Sequence, residues 1–174
     1  MPSDSGLIPN ASILISPLIL SILLLEFGDN FEKTQFYKKP KIAKYTLGRL
    51  ENFGHEKELT PIEKYSIEHI MPQKEELSEE WKKELGHNWK EIHEKYLDTI
   101  GNLTLTGYNQ KYSYLPFRTK RDMENGFRDS SIRLNKALAN LNNWNQNQIE
   151  KRANDLRKQA QKIWPYPKVQ KHLK

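Results

Sequence analysis

Apolar and polar residues follow two rhythms along this chain. From 37 to 53, Ile42, Tyr45, Leu47, Leu50 and Phe53 recur at helical spacing among basic residues, predicting an amphipathic helix that ends near Gly54. Residues 65–72 (YSIEHIMP) read as a short strand closed by proline. Ser78, followed by Glu79 and Glu80, has the character of a helix N-cap with an acidic first turn. A second helix is predicted over 88–99, with Trp89, Ile92, Tyr96 and Leu97 on one face and Gly101 as its stop. The alternating NLTLT (102–106) is a second strand, and Gly107 turns the chain into a short helix from Asn109 that Pro116 and Phe117 end. Ser130 and Ser131 offer a cap for a helix carrying Ile132, Leu134, Leu138 and Leu141. A last helix spans 145–163, with Ile149, Ala153, Leu156, Ala160 and Ile163 inward, and Trp164-Pro165 stops it. The pattern is an α+β domain: a small strand–strand–helix unit wrapped by helices.

The first 30 residues do not share these rhythms. Residues 7–27 (LIPNASILISPLILSILLLEF) are strongly apolar, yet Pro9, Ser16, Pro17 and Ser21 interrupt them and Glu26 follows the last leucines, so a membrane span is not favoured. The segment also lacks the basic region and small-residue cleavage site of a secretory signal. A truncated or altered start is the leading reading, ahead of a helix packed on the domain and a membrane anchor. The division expected is an apolar segment over 1–30, a domain over 31–167 and a basic tail over 168–174.

Composition narrows the class. With 174 residues the chain suits one domain, and with no cysteine it has neither a disulfide framework nor a thiolate zinc site, in keeping with a cytoplasmic setting. The net charge is +6, but residues 105–174 hold 15 Lys/Arg against 5 Asp/Glu, the bias expected of a phosphate-binding surface or of a solvated helical face.

A hydrolytic phosphodiesterase needs a base for water, a cation for the leaving oxyanion and something to orient the base. Glu68-His69 at the end of the first strand, Asn102 at the start of the second and Asn109 at the head of the next helix offer such a set. His69 suits the base, because an unperturbed imidazole is largely neutral at cellular pH. Glu68 and Asn109 carry hard oxygens of the kind Mg²⁺ prefers. Asn102 is placed to fix either the loop or the His69 ring through its amide. Lys111, Lys120 and Arg121 lie just downstream, where substrate phosphates would sit. Singly these are weak signals: a Glu-His pair is most often surface decoration, and an Asn opening a helix is usually only a cap. Their order along strand, strand and helix is what carries weight.

Other polar residues are weaker candidates. His87 and His93 are six apart and do not share a helix face, which disfavours zinc, and His55 and His172 stand alone. Tyr108, Tyr112 and Tyr114 serve either packing or base stacking, and Arg128 and Arg133 either internal pairing or phosphate contact. Trp81, Trp89, Trp144 and Trp164 are read as core anchors.

The segments IEHIMPQ (67–73), IGNLTLT (100–106), YNQKYSYLPFRTKR (108–121) and the closing Trp144, Ile149, Arg152, Ala153, Leu156 and IWPYP (163–167) resemble the C-terminal HNH domain of GmrSD-type restriction enzymes. KYTLGRLEN (44–52) resembles that family's lead-in helix, so the likeness covers about 36–167. The resemblance implies a ββα-metal core of the His-Me finger type, embedded in a mostly helical domain. In it His69 is the general base, Glu68 and Asn109 hold one divalent cation (Mg²⁺ ahead of Mn²⁺), and Asn102 is the central structural asparagine. It further implies hydrolysis of DNA in phage defence, often of modified DNA, with target choice from a nucleotide-hydrolysing, ParB-like domain or subunit upstream. Glu68 departs from the Asp that more common HNH sequences place before the histidine. The alternative is a non-catalytic or decayed nucleic-acid-binding fragment, which the presence of all four residues disfavours.

Overall fold

A computed structural model describes residues 17–55, 57–108, 112 and 114–165. The chain runs through α1 (Pro17–Lys33), a 3-10 turn at Phe36–Lys38 and α2 (Pro40–Asn52). Pro40 takes the first turn of α2, where a missing N–H leaves no bond unmade. Then follow β1 (Ser66–His69), α3 (Glu79–Leu85), α4 (Trp89–Tyr96) and β2 (Leu103–Thr106). The described chain closes with α5 (Phe117–Asp122), α6 (Arg133–Ala139) and α7 (Gln146–Ile163). β1 and β2 pair antiparallel, with Glu68 opposite Thr104 and His69 opposite Leu103. The class is therefore α+β, a two-stranded sheet set among helices. Asn109 and Lys111 lie outside the described residues, as does the tail over 168–174.

All four residues of β2 are buried, so this strand of the sheet is enclosed by the surrounding helices. Leu103 and Leu105 join a core with Ala43, Leu47 and Leu50 of α2 and Ala153, Leu156 and Ala160 of α7. A second core gathers Ile70, Met71, Trp81, Phe117, Phe127 and Trp144. Trp81 and Trp144 are fully buried anchors, whereas Trp89 and Trp164 are only partly covered.

Several elements depart from the pattern reading for identifiable reasons. The inward face of α2 is Ala43, Thr46, Leu47, Leu50 and Glu51, while Ile42 and Tyr45 stay exposed. Glu51 turns inward because its carboxylate accepts from the N–H groups of Arg133 and Leu134, each at 2.9 Å. It thus caps α6 from a distant part of the chain, and Ser130 instead accepts from Ile132 N and Asn135 Nδ2. Pro116 is the N-cap of α5, which begins at Phe117, and most of the short helix expected from Asn109 lies outside the described residues. Gly101 does not stop α4, which ends at Tyr96. Its role is close approach, since a Cβ there would stand 2.6 Å from the carbonyl oxygen of Ile149 on α7. The N-terminal helix crosses residue 30 unbroken and packs on α7, with Phe31 in the core and Glu32 accepting from Arg157 Nε at 2.6 Å. Among the described residues no helix is long and apolar enough to cross a membrane.

Candidate active site

His69 is the last residue of β1, and three elements meet on its ring. Its Nε2 lies 3.1 Å from Asp98 Oδ1, and the Tyr37 ring packs edge-on against it with centroids 4.3 Å apart. Asp98 is free to reach the ring because α4 has already ended; Thr99 turns back onto the Tyr96 carbonyl through both its N–H and its hydroxyl. The Asp98 carbonyl accepts from Tyr37 N at 3.2 Å, so one residue positions both neighbours of the imidazole. A carboxylate only accepts, so this contact puts the ring hydrogen on Nε2 and leaves the Nδ1 lone pair available. Burial holds the imidazole below its usual pKa of 6.5, outweighing the opposite pull of Asp98, and the ring is neutral near pH 7.

Glu68, the residue before His69 on β1, has its carboxylate engaged by a different partner. Its Oε1 accepts from Lys120 Nζ at 2.6 Å, and the same ammonium donates to the His69 carbonyl at 2.8 Å. The pair is enclosed, with side-chain exposures of 4 % for Glu68 and 0 % for Lys120. Burial pushes the Glu68 carboxyl up to about 7 against the pull of Lys120, and it pulls the Lys120 ammonium down from its usual value. Both shifts run towards the neutral forms, the mark of an ion pair whose desolvation cost exceeds its attraction. Lys120 stays in place because Gly126 lets the chain fold back over α5: Phe127 N donates to the Lys120 carbonyl at 3.0 Å, where a Cβ on residue 126 would be only 2.5 Å away.

Asn102 is fully buried, and its amide is spent on the backbone rather than on the His69 ring. Its Oδ1 accepts from Met71 N at 2.8 Å and Trp144 Nε1 at 3.1 Å, and its Nδ2 donates to the carbonyls of Met71 and Leu97 at 3.0 and 2.9 Å. Asn102 thus clamps the segment after β1 to the end of α4. His93 adds to the clamp, its Nε2 lying 2.8 Å from the Pro72 carbonyl.

Glu68 and His69 both line a cleft of about 180 Å³ that also includes Tyr37, Gln73, Lys74 and Tyr114. Lys74 Nζ lies 5.3 Å over the exposed Tyr114 ring at its rim. Tyr112, by contrast, is buried and donates its hydroxyl to the Asn125 carbonyl. Lys120 and Arg121, candidates for phosphate contact, are both buried and engaged by protein groups. Lys120 is engaged by Glu68, and Arg121 is tied to Asp122, the Leu141 carbonyl and Asn142. Arg128 pairs with Asp122, and Arg133 with Thr60 and the Glu58 carbonyl. No three His, Cys, Asp or Glu side chains converge among the described residues. Glu68 is the one carboxylate among the described residues that line the cleft, and its oxygens are of the kind a hard cation takes.

The pattern reading missed Asp98 and Tyr37. An acidic residue just past a helix C-terminus, where the dipole disfavours it, is a local anomaly that marks Asp98. Tyr37 carries no such sign, since its contact with His69 spans 32 residues of chain. No curated protein matches the chain. The family described as GmrSD restriction endonucleases, C-terminal domain, matches residues 25–159, a stretch that takes in the second half of α1, the hairpin, the cleft and most of α7. The chain therefore belongs to the family of GmrSD restriction endonuclease C-terminal domains.

Proposed function

We propose that this domain is an HNH-type endonuclease that hydrolyses DNA phosphodiester bonds with one divalent cation, Mg²⁺ or Mn²⁺. The observation that carries the reading is the His69–Asp98 contact: a buried, neutral imidazole, its Nε2 occupied by a carboxylate, at the edge of a cleft shared with Glu68. His69 Nδ1 takes a proton from water as the water oxygen bonds to phosphorus, and the bond from phosphorus to the 3′ oxygen breaks. Asp98 holds the tautomer and balances the imidazolium that forms. Glu68, and Asn109 from the following segment, would hold the cation, and Lys120 positions the Glu68 carboxylate. A bound cation supplies Lewis-acid charge for the departing 3′ oxygen. Asn102 acts through the backbone it clamps, while Lys74 and Tyr114 lie where flanking phosphate and base would pass. The restriction-endonuclease family supports DNA as the substrate; the narrower substrate class proposed is modified phage DNA, with the target chosen by a ParB-like, nucleotide-hydrolysing domain or subunit.

His69→Ala is expected to abolish nicking of plasmid DNA with Mg²⁺ or Mn²⁺ while leaving DNA binding nearly intact. Cleavage at the wild-type rate by that variant, on both modified and unmodified DNA, would sink the assignment. A second reading, a nucleic-acid-binding module without catalysis, draws on Lys120 already occupying Glu68. Calorimetry with Mn²⁺ separates the two. Binding that is lost in Glu68→Gln belongs to the nuclease, and no binding in the wild type belongs to the module.

A further inference from the structure

One buried charge outside the cleft forms no ion pair among the described residues. Arg152 on α7 is 8 % exposed, and its Nη1 donates to the carbonyls of Ile100, Gly101 and Leu103 at 3.4, 3.5 and 3.0 Å. Its Nη2 is buried with no hydrogen-bond partner among the described residues. Burial lowers its pKa to about 10, although the acidic Glu51 and Asp155 line the same cavity without forming an ion pair with it among the described residues. Buried guanidinium groups are ordinarily paired, because an unpaired buried charge is strongly unfavourable.

Gln159 lies seven residues further along the same helix, two turns or roughly 10 Å by helical rise. Its Oε1 is likewise buried without a partner among the described residues. Arg152 and Gln159 line one cavity of about 290 Å³ between α2, α6 and α7, with Leu156 between them on α7. Leu50, Leu134 and Leu138 line it as well, and Glu51, which also lines it, has its carboxylate committed to α6. The volume is near the lower end of small-molecule sites, about 300 Å³.

We propose that this cavity binds a small organic anion: a carboxylate or phosphate head on Arg152, an apolar body against the leucines, and an O–H or N–H donor for Gln159. A bare inorganic anion leaves the leucine wall and Gln159 unmatched. A purely apolar ligand leaves Arg152 unpaired. Duplex DNA is too broad to enter a cavity of this size, which separates this site from the nuclease cleft.

The test is calorimetric titration of the full chain with 6-hydroxyhexanoate, hexanoate and inorganic phosphate. For 6-hydroxyhexanoate, a dissociation constant on the order of a millimolar is expected. Hexanoate, which lacks the donor, should bind about tenfold more weakly, and phosphate more weakly still. Gln159→Leu should bring the hydroxy acid to the level of hexanoate. Ala137→Trp, which fills the cavity from its exposed lining, should abolish binding of all three while leaving the thermal midpoint and plasmid cleavage unchanged. Arg152 itself is not substituted, since it also holds the carbonyls of Ile100, Gly101 and Leu103. Absence of saturable binding in the wild type, unchanged binding in Ala137→Trp, or phosphate binding as tightly as the hydroxy acid would each overturn the proposal.

Discussion

An imidazole accepts a proton at Nδ1 only when its own hydrogen sits on Nε2, and in this chain that choice rests with Asp98, 3.1 Å away. Asp98→Asn puts an amide against Nε2 whose N–H₂ group favours the other tautomer. The variant is expected to fold normally and lose about 100-fold or more in cleavage rate, read from single-turnover nicking of plasmid DNA. Retention of the wild-type rate would remove Asp98 from the proposed mechanism. The pH dependence follows from the same ring. Because burial holds the folded pKa of His69 below 6.5, the acid limb of the cleavage profile should fall below pH 6.5 rather than at it. The unfolded chain binds this proton more readily than the folded one. The stabilising contribution is therefore complete above pH 6.5 and is lost as pH falls from there towards the lower folded value. Denaturant titrations at several pH values should show the wild type losing stability relative to His69→Gln across that window, the Glu68 titration being common to both.

At the scale of elements, the local signals read well wherever an element carries its own cap. Ser78 accepts from Trp81 N, and Asn145 from Gln148 N, as their positions before α3 and α7 lead one to expect. The α6 helix is different, because its first N–H groups are satisfied by Glu51, some 82 residues earlier. Glu51→Ala removes a cap and leaves two backbone N–H groups and the Thr60 hydroxyl without their acceptor, a loss of about 2–4 kcal/mol. Urea unfolding followed by circular dichroism measures it, and a change below about 1 kcal/mol would mean water replaces the carboxylate. Asn102 also works at this scale. Its sequence position suggests either the loop or the His69 ring, and the four bonds of its amide go to the loop, to the end of α4 and to Trp144. Nothing local separates those options, since the partners, Met71, Leu97 and Trp144, come from three places in the chain.

For the whole molecule, the basic character of residues 105–174 overstates the charge free to meet nucleic acid. Lys120 is held by Glu68, Arg121 and Arg128 by Asp122, and Arg157 by Glu32, while Arg152 is buried in the core. DNA affinity should therefore fall with salt along a slope well short of the 15 cations present there, since each phosphate neutralised contributes roughly −0.9. Filter binding across a salt series would expose a steeper dependence, and with it a larger contact surface than the folded charges allow. The chain by itself determines the α+β class, the two strands, most helix positions and the order Glu68-His69, Asn102, Asn109, because periodicity, caps and turn residues act over a few residues. The tertiary structure alone decides that Asp98 and Tyr37 hold His69, that Lys120 pairs with Glu68, and that α2 turns Glu51 inward. Each of these depends on side chains that are distant along the chain and meet only when the two cores close. Burial then fixes which charges must find a partner, and no local pattern records that requirement.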